Sequence, residues 1–175
     1  MAVRQRLLVD GMPIADFEKL CETTYEPVAN AAFLIVGDRH EALDITQEAF
    51  SRALERWDKV AAMSNPQGWV FRVAVNLALS RRRALRRFIR GVPDEPVPQT
   101  DTPDPALAQA LKRLSPAQRA AIVARFYLDL SVDDSARLLG KRPGTVRALT
   151  AQGVARLREE LGPDWLEEND EQIVP

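Results

Sequence analysis

A chain of 175 residues, 46% hydrophobic but only 6% aromatic, has material for one ordinary domain or two small ones, with cores of Ala, Leu and Val. Its single cysteine, Cys21, excludes an internal disulfide framework and a CxxC metal site, and a net charge of −1 argues against a uniformly basic nucleic-acid binder. No run approaches the roughly 18 apolar residues of a membrane span, and the apolar stretch after Arg6 is too short for a signal sequence, so the expected location is the cytoplasm.

The usage of Ala, Leu, Arg and Glu favours helix, and no segment alternates as a strand does. Phe17, Leu20, Thr24, Val28, Ala31 and Ile35 recur at helical spacing, with Cys21 among them as an expected core residue, and Gly37 ends that helix. Asp38 and Glu41 resemble a capping box and open a second helix, whose apolar stripe reads Leu43, Thr46, Phe50, Ala53 or Leu54, and Trp57. Its other face carries Asp44, Glu48, Ser51, Glu55 and Asp58, with Gln47 beside them. Such a stripe repels DNA and meets either solvent or a basic protein.

Ser64-Asn65-Pro66 starts a third helix, buried through Val70, Val73, Ala74 and Leu77. On it Arg72, Asn76, Ser80, Arg83 and Arg87 fall on one face and run into the cluster Arg81-Arg82-Arg83 and Arg86-Arg87. With Trp69 and Phe71 nearby, this face suits a DNA backbone and unstacked bases; a solvated arginine-rich surface is the plain alternative.

Residues 91–105 hold five prolines and little to bury, so they are expected to form a flexible, acidic linker. The chain thereby divides into a domain at 1–90, the linker at 91–105, a second domain at 106–161 and an acidic tail at 162–175. Residues 1–87 hold 13 Lys/Arg against 11 Asp/Glu and residues 107–160 hold 10 against 5, whereas the tail from 161 holds none against 5. Patch charge, not the total, is what a phosphate backbone feels.

In the second domain, Asp104-Pro105 opens a helix with Leu107, Leu111 and Leu114. Ser115-Pro116-Ala117-Gln118 caps another that runs to about Leu128, and Ser131 caps a short one ending at Leu139. Gly140 and a turn then lead into a helix from about Pro143 to Leu161, which completes a helix-turn-helix. With Val146, Leu149, Val154 and Leu157 buried, the face left over offers Thr145, Arg147, Ala148, Ala151 and Gln152. Arg suits guanine, Gln adenine and Ala a thymine methyl, while Lys141 and Arg142 suit phosphates. An ordinary helical hairpin with solvated charges is the plain alternative. Gly153 inside this helix is expected to weaken it by about 1 kcal/mol relative to Ala.

The lone His40 has no triad partners and no second histidine for a metal, and no Gly-rich phosphate loop occurs. No catalytic residue, metal, cofactor or small-molecule substrate is expected.

Four segments together resemble the extracytoplasmic-function (ECF) group of RNA polymerase sigma factors. They are Asp44 to Leu54, Trp69 to Ala78, Leu114 to Arg119, and Gly144-Thr145-Val146-Arg147. Gly37 to His40, Arg56-Trp57-Asp58 and Ala155 to Arg158 resemble the actinobacterial branch. The resemblance implies an all-α, two-domain protein without activity of its own that binds core RNA polymerase and promoter DNA. It implies that Asp44, Gln47, Glu48, Ser51 and Glu55 meet polymerase. It further implies that Ser64, Asn65, Trp69, Arg72, Asn76, Ser80, Arg83 and Arg87 meet and open the −10 element. Ser131, Lys141, Arg142, Thr145, Arg147, Ala148, Ala151 and Gln152 would then meet the −35 element. An anti-sigma factor is a common partner in that family. Two departures stand out: few basic residues follow Arg147, and the loop from Ala61 to Pro66 lacks aromatic and charged side chains. The competing readings are a helix-turn-helix regulator that works without polymerase, and a degenerate sigma-like interaction module.

Overall fold

The computed structural model describes residues 8–9, 12–88 and 105–173. A short antiparallel pair, β1 (Leu8–Val9) with β2 (Met12–Pro13), precedes the first helix. Two residues per strand are too few to show alternation, which is why the sequence pattern does not reveal it. All else that is regular is helical: α1 (Ile14–Val36), α2 (Arg39–Leu54), α3 (Trp57–Ala61) and α4 (Pro66–Phe88), then α5 (Pro105–Arg113), α6 (Pro116–Ile122), α7 (Val132–Leu139) and α8 (Pro143–Ile173). The expected linker, up to residue 104, lies outside the described residues.

Local chemistry sets most of these boundaries. Gly37 ends α1 at φ +80°, which an L side chain rarely adopts. The Asp38 side chain accepts from the Glu41 N–H at 2.7 Å and starts α2. At α6 the capping box is complete, with Ser115 and Gln118 each accepting from the other's backbone N–H. After Ile122 the helix loosens into a π-helical turn, Val123–Tyr127. Ser131 caps α7, and Gly140, left-handed at φ 60°, closes it while Lys141 N–H reaches back to Ala136 O at 2.9 Å. Gly162 (φ 77°, ψ 170°) breaks α8 close to Leu161, where the sequence signals end the DNA-reading helix, and helical backbone resumes to Ile173.

The burial pattern corrects parts of the sequence reading. On α2 the inward face is Ala42, Ile45, Thr46, Ala49, Phe50 and Ala53; Leu54 is exposed, and Trp57 belongs to α3. Three of these six inward residues are alanines, so a stripe that favours Leu43 and Leu54 misses part of the buried face. Thr46 is buried at no cost in hydrogen bonding because its hydroxyl donates to Ala42 O at 2.8 Å. Phe17 stacks edge-on against Trp57 at 5.1 Å, and Tyr25 lies 5.4 Å from Phe50. Cys21, expected in the core, is half-buried and packs against it, and burial followed by Glu18 and Glu22 pushes its thiol pKa up.

α4 is buried on a second side as well. Val75 and Ala78 are buried beside Val70 and Ala74, because α6 and α7 pack across α4. The two halves therefore dock on each other and share one buried cluster. At their junction Arg119, 1% exposed, donates from Nη1 to the Ile35 carbonyl at 2.9 Å. That carbonyl lies in the last turn of α1, where the helix leaves acceptors unpaired and its dipole favours a cation. Arg119 of the second half thus caps a helix of the first.

Candidate nucleic-acid interface

The N-terminal end of α4 is built by Asn65, whose Oδ1 accepts from the Gly68 N–H at 2.7 Å. A Cβ at Gly68 would lie 2.6 Å from Asn65 Nδ2, so the glycine is what lets the cap close. Asn65, a predicted DNA contact, is thereby engaged in the helix start, while Ser64 beside it is exposed. Arg72, Asn76, Ser80 and Arg83 are all exposed on one face of α4. Arg83 Nε donates to Leu79 O at 3.2 Å, which lays its side chain along that helix. Trp69 is half-buried and packs on the core, which limits it to a partial face. The side chain of Arg87 lies outside the described residues.

The arginine cluster is not one patch. Successive helical residues point about 100° apart, so Arg81 and Arg82 turn towards α2 and are half-buried, while Arg83 stays on the exposed face. Arg81 Nη2 meets Glu48 Oε2 at 3.0 Å, and Arg52 Nη2 meets Glu48 Oε1 at 2.5 Å. Glu41 lies in the same charged group: burial raises its pKa, against the pull of Arg81 and Arg82. The acidic face of α2 therefore has a basic partner within the chain at Glu48. Asp44, Gln47, Ser51 and Glu55 are exposed around it.

In the helix-turn-helix, Val146 is fully buried, Leu149, Val154 and Leu157 are half-buried, and Lys141, Arg142, Thr145, Arg147, Ala148, Ala151 and Gln152 are all exposed. Ser131, a predicted DNA contact, is exposed but committed to α7. Its Oγ accepts from the Asp134 N–H at 3.0 Å and donates to Asp134 Oδ2 at 2.5 Å. Together with Arg137, the Ser131 hydroxyl holds the Asp134 carboxyl below the usual carboxylate range.

Gly153 has the opposite meaning from the one its helix propensity suggests. It is buried, and a Cβ there would lie 2.9 Å from Ile122 Cγ1, so its absence allows α8 to lie tightly on α6. Next to it, Gln152 Oε1 accepts from Gln118 Nε2 at 3.3 Å. Sequence reasoning treats Gln118 only as a cap, and it passes over Arg119 and Arg81 as buried or paired groups. One signal for Arg119 was present: Pro116, Arg119, Ala120 and Val123 recur at helical spacing, and all of them are buried.

Among the described residues no helix is long and apolar enough to cross a membrane. Sequence models of Sigma-70 region 2 and Sigma-70 region 4 match residues 20–88 and 105–157 respectively. The RNA polymerase sigma-E factor of Streptomyces avermitilis is 31% identical over 156 residues, covering 85% of this chain and 86% of that protein. The ECF sigma factor SigL of Mycobacterium tuberculosis is 32% identical over 145 residues, covering 75% and 82%. Among solved structures, the sigma factor RpoE of Bartonella quintana, in complex with the anti-sigma factor NepR, aligns with a TM-score of 0.69 at 25% identity, covering 83% of this chain and 96% of that one.

Proposed function

Since the chain belongs to the sigma-70 family of RNA polymerase sigma factors, as its region 2 and region 4 matches and its ECF relatives establish, we propose that its exposed faces divide the work of promoter recognition. Asp44, Gln47, Ser51 and Glu55, with the ion-paired Glu48, bind core polymerase. Arg72, Asn76, Ser80 and Arg83 hold the −10 element. The exposed face of α8, with Lys141 and Arg142, reads the −35 element. The protein acts in the cytoplasm and has no catalytic activity of its own. An anti-sigma factor, the kind of partner bound to the Bartonella protein, is a further expected partner.

The observation that carries this reading is the α4 face, where four polar or cationic side chains spaced by helical turns are all exposed beside an acidic α2. A regulator that works without polymerase would need neither surface. The tight seat of Gly153 on Ile122 removes one reason to regard the −35 helix as degenerate, its low helix propensity, while the scarcity of basic residues after Arg147 stands.

The docked arrangement is a resting state in this reading. Elements about 25 base pairs apart lie on the order of 85 Å apart along B-DNA. A compact body of this size measures roughly 40 Å across. Promoter binding therefore separates the halves and frees Arg119 from Ile35.

Run-off transcription with core polymerase tests the proposal. The protein should direct starts downstream of a shared pair of upstream elements, and an absence of specific starts would sink it. Asn76→Ala should reduce output about tenfold or more on duplex promoters and much less on templates with a pre-melted bubble, because base capture contributes on the order of 1–3 kcal/mol. Equal loss on both templates would make Asn76 a packing residue.

A further inference from the structure

The capping box of α6 continues outward into the recognition helix. The Ser115 backbone N–H can only donate, and it donates to Gln118 Oε1 at 2.9 Å. That contact settles which end of the Gln118 amide is oxygen, so the other end is the donor Nε2. Nε2 lies 3.3 Å from the side chain of Gln152. A donor there needs an acceptor opposite, which is Gln152 Oε1. Through two hydrogen bonds, an obligate backbone donor thus sets the polarity of an exposed amide on α8. The two glutamines are held together by the packing beneath them, where Gly153 lets α8 approach Ile122. A Cβ at Gly153 would also stand 3.7 Å from Gln118 Cβ, so the two helices are in contact at this level.

We infer that Gln152 meets the −35 duplex as a hydrogen-bond donor, and that Gln118 is the positioning residue that makes it one. This inference rests on the assignment of α8 to the −35 element. Glutamine reads adenine by using both ends of its amide, the oxygen accepting from N6–H and the nitrogen donating to N7. With Oε1 turned towards Gln118 on α6, the two-bond adenine pairing, which needs both amide atoms aimed at one base, is disfavoured. What faces away from α6 is the amide nitrogen, which suits bases whose major-groove edge only accepts, N7 and O6 of guanine or O4 of thymine, whereas adenine offers N7 but sets its N6 donor beside that nitrogen. The base facing Gln152 is therefore guanine or thymine, where glutamine by residue type alone points to adenine.

Gln118→Glu reverses the polarity without removing the cap. A capping box accepts Glu as readily as Gln, so one carboxylate oxygen still takes the Ser115 N–H. The other oxygen can only accept, so it draws Gln152 Nε2 and turns the amide oxygen outward. The experiment uses the full-length protein in complex with core polymerase and a pool of promoter duplexes randomised across the −35 element, sequenced before and after selection. Four proteins are compared: the parent, Gln118→Glu, Gln152→Ala and Arg147→Ala.

The parent should favour guanine or thymine over adenine at one position, and Gln152→Ala should flatten that position alone. Gln118→Glu should move the same position towards adenine or cytosine by about two- to tenfold, the worth of one hydrogen bond. Reading relative base preference at one position cancels the general loss of affinity from the added negative charge. Two results overturn the inference: a parent that prefers adenine there, or a Gln118→Glu profile that coincides with the parent while Arg147→Ala still alters the −35 preference. If neither Arg147→Ala nor Gln152→Ala changes any −35 preference, the assignment of α8 fails, and the inference falls with it.

Discussion

The half that carries α1 to α4 closes around Val28, Ile35, Ile45, Phe50, Trp57 and Val70, all from its own helices. Among the described residues, the half that carries α5 to α8 gathers Leu111, Leu114 and Ile122 into a cluster of its own, with Leu107, Val154 and Leu157 of its own helices and Leu34 of α1 packed against it. Most of its other buried apolar side chains, Ala121, Ala124, Ala136 and Val146 among them, belong to the cluster it shares with the first half. A body of about 55 residues buries too small a share of its surface to be strongly stable by itself. Docking supplies what it lacks: Val123, Leu138, Leu139 and Val146 of the second half join the shared cluster together with several alanines, and one guanidinium, that of Arg119, is buried at the contact. Alanine gives close helix approach with little apolar area, and a buried guanidinium regains full hydration when the halves part. A junction that buries a guanidinium suits the separation on promoter DNA proposed above.

Breaking the junction should produce the largest effect. Arg119→Ala removes a charge-assisted bond and leaves a cavity, at a cost of about 2–4 kcal/mol to docking. The expected result is a larger radius of gyration by small-angle scattering and a thermal unfolding profile split into two transitions, the later one belonging to α1–α4. A single transition with unchanged dimensions would show that the halves do not depend on Arg119.

A charge reversal on the first half separates its partner surface from its core. Asp44→Arg should lower affinity for core polymerase at least about tenfold, since like charges facing each other across an interface cost several kcal/mol. Helicity should not change, because Asp44 is exposed. The same reversal at Glu48 is a poorer probe, as it would also set three arginines together. Polymerase affinity equal to the parent's would remove α2 from the binding face.

The second half is sharpened by Gly153→Ala. Helix propensity alone favours the alanine by about 1 kcal/mol. Forcing a methyl to within 2.9 Å of Ile122 Cγ1, near the root of a branched side chain, costs about 1–3 kcal/mol. The net change in thermal stability should be negative, by about 1 kcal/mol. A stabilised variant would mean that α8 can lift from α6 freely.

The smallest effect is expected from Asn65→Ala, which removes the cap at Gly68 and should cost about 0.5–1 kcal/mol. Amide exchange should quicken at Gly68 and the next residues of α4 and stay unchanged in α5–α8. Uniform protection in α4 would show that its first turn is held by packing instead.

Much of the fold was legible because it is written locally. Asp38, Asn65, Ser115, Ser131 and Gly140 lie at helix ends as their side chains or backbone freedom dictate, and α4 and α8 expose the faces that helical spacing picks out. These features depend on residues a few positions apart, so a linear pattern determines them. The meeting of Glu48 with Arg81, of Arg119 with the end of α1, of Gly153 with Ile122 and of Gln118 with Gln152 joins residues about 30 to 80 positions apart. No pattern along the chain says that a cluster of arginines is split between two faces, that a cation caps a distant helix, or that a glycine is there for a neighbour. Those outcomes depend on which helices touch and how closely, and only the tertiary packing decides that.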